Sequence, residues 1–221
     1  MRIKRYGHAS FLIEGDTIRI VTDPYLPELI GYDPITEPAD VVIMSSATDP
    51  AHSHASMIPG NPTVINALEI TESAVEIRGV RFEAVATMES LIYKDSPGQN
   101  AMYRFTVDRI AVGHMGDVGN PLNESQLAFF QDIDVLLALT GGPPTIELDD
   151  LDKALAIIQP KITIPMHYKT EKSKIAKILP VEEFTSRYPQ EIVHYLDLSE
   201  IHLDRSMLPK QPQIYVLQYA N

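Results

Sequence analysis

The sequence predicts an α/β protein in which two mixed sheets pack face to face with helices on the outside. Short β-rich runs separated by turn residues fill the first two thirds of the chain, and strands then alternate with helical segments. No linker, low-complexity tract or repeat interrupts the 221 residues. Because a single core can still grow at this length, we expect one domain over residues 1–221.

Three pairs of β-type runs have the spacing of hairpins, because two residues suited to a tight turn separate the two runs of each pair. These pairs are residues 10–14 with 17–22, 74–77 with 80–86, and 101–107 with 110–113. Residues 40–44 and 63–66 are short apolar runs of the kind that buried strands show. The first half of the chain is therefore expected to form mainly sheet.

Helical patterns begin after the third hairpin. Asn123, followed three residues later by Gln126, predicts a helix start at residue 124, with its end near residue 130. Leucines and isoleucine recur at helical spacing over residues 148–158 and stop at Pro160, and Thr145 is the expected N-cap of that helix. A last helix is expected around residues 181–188. Strands are expected at 135–139, 162–164, 192–196 and 214–219.

Composition excludes several classes of function. Thirty acidic and eighteen basic residues give a formal net charge of −12, which repels phosphate backbones, so we expect no nucleic-acid partner. No run of about 18 apolar residues predicts a membrane span, and the N-terminal residues do not resemble a secretory signal. Cysteine is absent, so a metal site must use His and carboxylates, and a cytoplasmic location is the expectation.

Eight short motifs, in order, resemble the metallo-β-lactamase superfamily, specifically its subgroup of ascorbate-phosphate lactonase-like, metal-dependent hydrolases. The motifs are residues 7–13 (GHASFLI), 21–26 (VTDPYL), 39–43 (ADVVI), 59–62 (PGNP), 114–119 (HMGDVG), 134–137 (DVLL), 141–142 (GG) and 164–168 (IPMHY). Each motif alone is weak, but their joint order over residues 2–169 is specific. The resemblance implies the four-layer αββα sandwich of that superfamily.

The resemblance also implies a metal motif that this sequence lacks. In the family, a loop reading His-x-His-x-Asp-His supplies ligands to zinc or manganese, and the matching stretch here is residues 45–54 (SSATDPAHSH). Aligned without a gap, the ligand positions hold Ser46, Thr48, Pro50 and Ala51; a one-residue insertion would let His52 serve as the last histidine. Met88 stands where the next family histidine is expected. We therefore expect a degenerate metal site.

Two family positions keep their residue types. Asp117 matches the Gly-Asp aspartate and His167 the final histidine, so both are candidate catalytic residues and metal ligands. The further candidates for a weak or vestigial metal site are His114, His52 and His54. For all five the alternative is a structural role, with hydrogen bonds inside a polar pocket or, for His52 and His54, rings that face solvent. His8 and Asp23 match family positions near the site and are expected to be structural.

Two functions compete at this stage. One is a hydrolase with weak or absent metal-dependent activity on a small ester, lactone or phosphoester, which would bind zinc or manganese. The other is a non-catalytic descendant of the fold that binds a small molecule or a partner protein. Metal-free hydrolysis by His167 with Ser45 or Ser46 is a third possibility that rests on residue types alone. We expect a small-molecule ligand in the cleft, and homo-oligomerisation stays open.

Overall fold

The computed structural model describes residues 1–220, which form two mixed sheets. The first sheet has the strand order β13-β1-β2-β3-β4-β5 and the second the order β12-β14-β11-β10-β9-β8-β7-β6. The strands are β1 (Arg2–Gly7), β2 (Ser10–Glu14), β3 (Arg19–Thr22), β4 (Val41–Met44), β5 (Thr63–Asn66), β6 (Val75–Ile77), β7 (Val80–Met88), β8 (Gln99–Val107), β9 (Ile110–His114), β10 (Val135–Leu139), β11 (Ile162–Met166), β12 (Val193–Tyr195), β13 (Glu200–His202) and β14 (Gln213–Val216).

The first sheet joins an antiparallel half to a parallel half. Strands β1, β2 and β3 pair antiparallel, and β3, β4 and β5 continue in parallel. The predicted hairpin over residues 10–14 and 17–22 is confirmed as β2 and β3. The sequence reasoning missed β1 and β13, which pair with each other although about 200 residues separate them. Such long-range pairing leaves no local turn signal in the sequence.

The second sheet has the same division. Strands β6 to β9 form an antiparallel meander, which confirms the other two predicted hairpins, and β9, β10, β11 and β14 run parallel. Strands β10 and β11 are buried along their whole length. Parallel strands are covered on both faces, which is why their sequences are continuous apolar runs and not alternating patterns.

Among the described residues 1–220, four short α-helices lie between the strands: α1 (Pro27–Ile30), α2 (Glu124–Phe129), α3 (Leu148–Ile158) and α4 (Val181–Thr185). The predicted capping box of α2 is confirmed, since the Asn123 side chain accepts from the Gln126 amide and the Gln126 side chain accepts from the Asn123 amide. The Thr145 cap is wrong. Glu147 occupies the N-cap of α3, while the Thr145 hydroxyl donates to the Gly142 carbonyl within the preceding turn.

The apolar core lies between the two sheets, and a second apolar cluster covers the outer face of the first sheet. That cluster combines Ile30 of α1 with irregular segments, so the layer there is thin. On the second sheet, Phe130 at the end of α2 packs close to Gly113, beside Leu136. Within residues 1–220, no helix is long and apolar enough to cross a membrane.

The parallel halves of both sheets place polar residues at one edge. Asp23 follows β3, Ser45 follows β4, Asp117 lies just beyond β9, and His167 follows β11. Carboxyl ends of parallel strands meet at the same edge of a sheet. The two sheets therefore bring residues that are up to 144 positions apart in sequence into one cleft.

Candidate metal centre

Three buried histidines converge at this edge. His8, His52 and His167 each place one ring nitrogen so that the three atoms lie within 4.8 Å of one another. The Nε2 atoms of His8 and His52 are 3.2 Å apart. All three rings are almost completely enclosed. Their nitrogens therefore face each other instead of water.

Asp23 orients the His52 ring. Its Oδ2 lies 2.8 Å from His52 Nδ1 and also accepts from the Ser45 hydroxyl, while Oδ1 accepts from the Ser45 amide and from the Tyr103 hydroxyl. A carboxylate in this position fixes the ring tautomer and leaves Nε2 free for the cleft. Asp23 is thus a hydrogen-bond anchor, which fits the structural role expected of it, and its contact with Nδ1 also orients the His52 ring.

Backbone conformation directs the other two histidines into the cleft. His8 has φ +49° and His167 has φ +55°, both in the left-handed region that non-glycine residues seldom adopt. The His167 amide donates to the His8 carbonyl at 2.9 Å, which ties the two segments together. Uncommon conformations persist where the surrounding structure enforces them, and they cluster at functional sites.

Asp117 separates the histidines from a charged neighbour. Its Oδ1 lies 3.4 Å from His167 Nε2 and 3.8 Å from His52 Nε2, and it is buried without a hydrogen-bond partner. Its Oδ2 lies 3.4 Å from Lys94 Nζ. Gly116, with φ +60°, makes the turn that brings this carboxylate into the cleft.

The three histidines differ in protonation. Burial lowers the pKa of His8 well below its usual 6.5, and the neighbouring His167 and His52 lower it further. Burial also lowers the pKa of His167 to about 4, although the charge of Asp117 opposes this. For His52, burial acts in the same direction, but Asp117 and the hydrogen bond to Asp23 outweigh it and raise the pKa to about 9. At neutral pH the cluster therefore holds its proton on His52.

The geometry of the cluster fits a metal ion. Two nitrogens bound at 2.0–2.1 Å to one tetrahedral zinc ion are separated by about 3.3 Å, close to the distance between His8 Nε2 and His52 Nε2. The distance from His167 Nε2 to Asp117 Oδ1 agrees equally well. An unpartnered buried carboxylate oxygen is costly unless something compensates it. The three imidazoles form a donor set that suits zinc or manganese, and Asp117, which is grouped with His52 and Asp49, lies beside them.

Two predicted ligands lie outside the histidine cluster. Both ring nitrogens of His114 are in use, because its Nε2 donates to the Ala9 carbonyl and its Nδ1 accepts from the Gly116 amide. It stacks on Tyr103 with ring centroids 4.7 Å apart and supports the turn before Asp117. His54 lies outside both groups of potential ligands found among residues 1–220, and its position is the N-cap of a short 3₁₀-helix.

The positions that hold histidines in the family motif have other uses here. The Ser46 hydroxyl accepts from the amides of Thr48 and Asp49 and holds the turn after β4. Thr48 and Pro50 are exposed, so neither side chain is enclosed with the histidine cluster. The turn also closes through the His52 amide, which donates to the Asp49 carbonyl. Of the two histidines in this stretch, His52 lies in the cluster and His54 does not, among the residues that the structure describes.

Sequence reasoning placed His8 among structural residues and assigned no role to Glu89 or Lys94. A signal for His8 was present, since it stands in the first motif of the resemblance, but it is 44 residues from His52 and 159 from His167. Lys94 Nζ lies 3.0 Å from Glu89 Oε1 and reaches Asp117 as well. The spacing of Glu89, Lys94 and Asp117 in the sequence does not predict that their side chains meet.

Two sandwiched mixed sheets with a His and Asp cluster at the carboxyl ends of their parallel strands define the class of metallo-β-lactamase-fold proteins. The chain belongs to the family described as Beta-lactamase superfamily domain, whose sequence profile matches residues 2–167. The predicted superfamily and fold class are therefore confirmed. The lactonase-like subgroup stays a prediction.

Relatives and solved structures agree with this membership. A protein of Alkaliphilus metalliredigens named UPF0173 metal-dependent hydrolase is 27% identical over 226 residues, covering 91% of this chain and 99% of the relative. A protein from Nanoarchaeum equitans that is also named UPF0173 metal-dependent hydrolase is 29% identical over 190 residues, covering 77% of this chain and 85% of the relative. A crystal structure of a metallo-β-lactamase superfamily protein from Thermotoga maritima superposes with a TM-score of 0.79 at 29% identity, covering 99% of both chains.

Proposed function

We propose that this protein is a metal-dependent hydrolase that uses one divalent ion held by His8, His52, His167 and Asp117. The convergence of three buried imidazoles within 4.8 Å carries this proposal. It replaces the expectation of a largely erased metal site, because His8 compensates for part of the missing motif. A small-molecule ester, lactone or phosphoester in the cleft is the proposed substrate class, and zinc or manganese is the proposed ion.

Without a bound ion, the three histidines already differ in protonation state, and Asp23 already holds the His52 ring in position. His8 and His167 are neutral at pH 7 and offer lone pairs, whereas His52 has to release its Nε2 proton, so metal binding should release about one proton. Asp23 keeps the His52 ring in place throughout. A bound divalent ion would supply Lewis acidity, lowering the pKa of water and polarising the bond under attack.

The relatives support this proposal without deciding it. The proteins of Alkaliphilus metalliredigens and Nanoarchaeum equitans carry the name metal-dependent hydrolase, and zinc dependence has been suggested for the Thermotoga maritima protein. Because one fold hosts many activities, these names alone do not transfer an activity. The donor set of this chain is the independent argument.

A non-catalytic binding protein is the second candidate. It is favoured by the ungapped alignment, in which five family ligand positions hold Ser46, Thr48, Pro50, Ala51 and Met88, since the loss of these ligands reduces the number of ions that the cleft can hold. In this case the cleft would bind a small molecule or a partner protein. The two candidates differ in metal content and in turnover.

Metal analysis separates the two candidates. The protein is purified without chelators, its zinc, manganese and iron are counted by mass spectrometry, and hydrolysis is assayed on panels of esters, lactones and phosphoesters. We expect about one equivalent of metal, with turnover that a chelator abolishes and added metal restores. Less than a few tenths of an equivalent after incubation with each ion would reject the hydrolase and leave the binding protein.

Three further properties remain proposals. We infer a single domain over residues 1–221, a cytoplasmic location from the absence of cysteine, and a homo-oligomer. Limited proteolysis, fractionation of the source cells and light scattering, respectively, test them.

A further inference from the structure

The side of Asp117 that faces away from the histidines is rich in carboxylates. Asp49, His52 and Asp117 form a second group whose ligand atoms lie within 4.8 Å of one another. Glu89 joins this side through Lys94, whose Nζ lies 3.0 Å from Glu89 Oε1 and 3.4 Å from Asp117 Oδ2. One ammonium group therefore bridges two carboxylates on this side of the cleft.

The loop over residues 89–98 is built to hold this ammonium group in position. Glu89 Oε2 accepts from the Gly98 amide at 2.7 Å, and the Glu89 amide donates to the Gly98 carbonyl, which closes the loop. Asn120 fastens the start of the loop by donating to the Met88 and Glu89 carbonyls. The Ser90 hydroxyl accepts from two amides of the turn that precedes Lys94.

The Lys94 side chain is an ammonium group at neutral pH, as lysine side chains ordinarily are, and its Nζ contacts two carboxylates. Dinuclear hydrolases of any fold place two divalent ions about 3.5–4 Å apart around shared carboxylates. A second ion beside Asp117 would have to share the same oxygens with a neighbouring like charge, which is unfavourable.

We propose that the Lys94 ammonium group is the permanent second cation of this centre, so that the protein binds one divalent ion and not two. The inference rests on the proposed metal centre and goes further, because it assigns a stoichiometry and a residue that sets it. The histidine side of Asp117 receives the metal ion, and the carboxylate side is neutralised by the protein itself.

Replacing Lys94 tests the inference directly. Lys94→Met keeps most of the side-chain volume and removes the charge, so that Glu89 Oε1 and Asp117 Oδ2 lose their ammonium partner and can contribute, with Asp49, to a second ion. Manganese is the appropriate probe, since carboxylate oxygens suit it. Calorimetric titration of the full chain with Mn²⁺ should give one equivalent for the unaltered protein and two for Lys94→Met. Electron paramagnetic resonance should show an isolated ion in the first and a spin-coupled pair in the second.

Three controls make the result specific. Lys94→Arg retains the charge and should stay at one equivalent, as should Lys153→Met, which removes an exposed lysine that is paired with Asp150. The double variant Lys94→Met with Glu89→Gln removes a carboxylate as well and should return to one. Circular dichroism verifies that each variant is folded.

The outcomes separate this inference from the function on which it rests. Two equivalents in the unaltered protein, or a single equivalent in folded Lys94→Met, would overturn the role of Lys94 while leaving a metal centre in place. Absence of metal from both proteins would overturn the centre itself and the inference with it.

Discussion

The two oxygens of Asp117 face two differently built halves of one site. Oδ1 faces the histidines, which are uncharged except for the proton on His52, and it has no hydrogen-bond donor. Oδ2 faces Lys94 and the carboxylate half, where an ammonium group is already in contact. The histidine half presents ring nitrogens to Asp117, and the other half presents the ammonium group of Lys94. The comparison shows that the cleft neutralises one oxygen of Asp117 with its own lysine and leaves the other buried oxygen without a hydrogen-bond partner.

Removing His8 should have the largest effect on the histidine half. His8→Asn keeps a residue that tolerates positive φ but deletes the imidazole, and we expect stoichiometric metal binding to be lost. Metal content after dialysis measures this. His202→Asn, on an exposed histidine, is the matched control and should retain about one equivalent. Full metal content in His8→Asn would show that the motif residues suffice without it.

Acidification should destabilise the metal-free protein through the same half. Because the pKa of His167 is about 4 in the folded protein and 6.5 when unperturbed, the unfolded chain binds the proton more readily. His167 therefore contributes full stability above pH 6.5 and loses it as the pH falls to about 4, an effect of about 3 kcal/mol. His52, with a pKa of about 9, stays protonated in the folded state throughout this range.

Urea unfolding at several pH values measures how the free energy of unfolding changes with pH. In His167→Asn, the loss of this free energy between pH 6.5 and about 4 should be smaller by about 3 kcal/mol, since the variant has no imidazole to protonate on unfolding. If the variant lost as much free energy of unfolding on acidification as the unaltered protein, His167 would already be protonated in the folded protein. The histidine half would then be charged, and the contrast with the Lys94 half would disappear.

Weakening the support of His52 should have an intermediate effect. Asp23→Asn leaves the side-chain volume unchanged but replaces the carboxylate that orients Nδ1, and such supporting residues typically contribute about 10–100-fold to metal affinity. Tyr103→Phe, which removes only one hydrogen bond to Asp23, should reduce the metal affinity by less. Competition with a fluorescent zinc chelator compares the affinities. Equal affinities in all three proteins would contradict the orienting role.

The smallest effect is expected at a position where the family motif has a ligand. Thr48 is exposed and outside the histidine cluster, so Thr48→His should leave metal affinity unchanged and alter stability by no more than about 0.5 kcal/mol. Calorimetry and thermal unfolding provide the two measurements. A marked gain in affinity would show that the loop after β4 can still reach the centre.

Local signals predicted most of the fold. Turn pairs placed the hairpins, apolar runs placed β4, β5 and β10 within a residue of their observed bounds, and Asn123 with Gln126 marked α2. The pairing of β1 with β13 and the N-cap of α3 escaped prediction. Both depend on what the chain packs against, and the residues on either side of them in sequence do not carry that information.

The sequence by itself determined the αββα class and the family, and it offered His52, Asp117 and His167 as candidate site residues, because ordered motifs and hydrophobic periodicity are local properties of the chain. Only the tertiary structure decided that His8 faces His52, that His114 has no free nitrogen, and that Lys94 contacts Asp117. Those contacts join distant segments, and they form only when two sheets close over one another and burial forces each polar atom to find a partner.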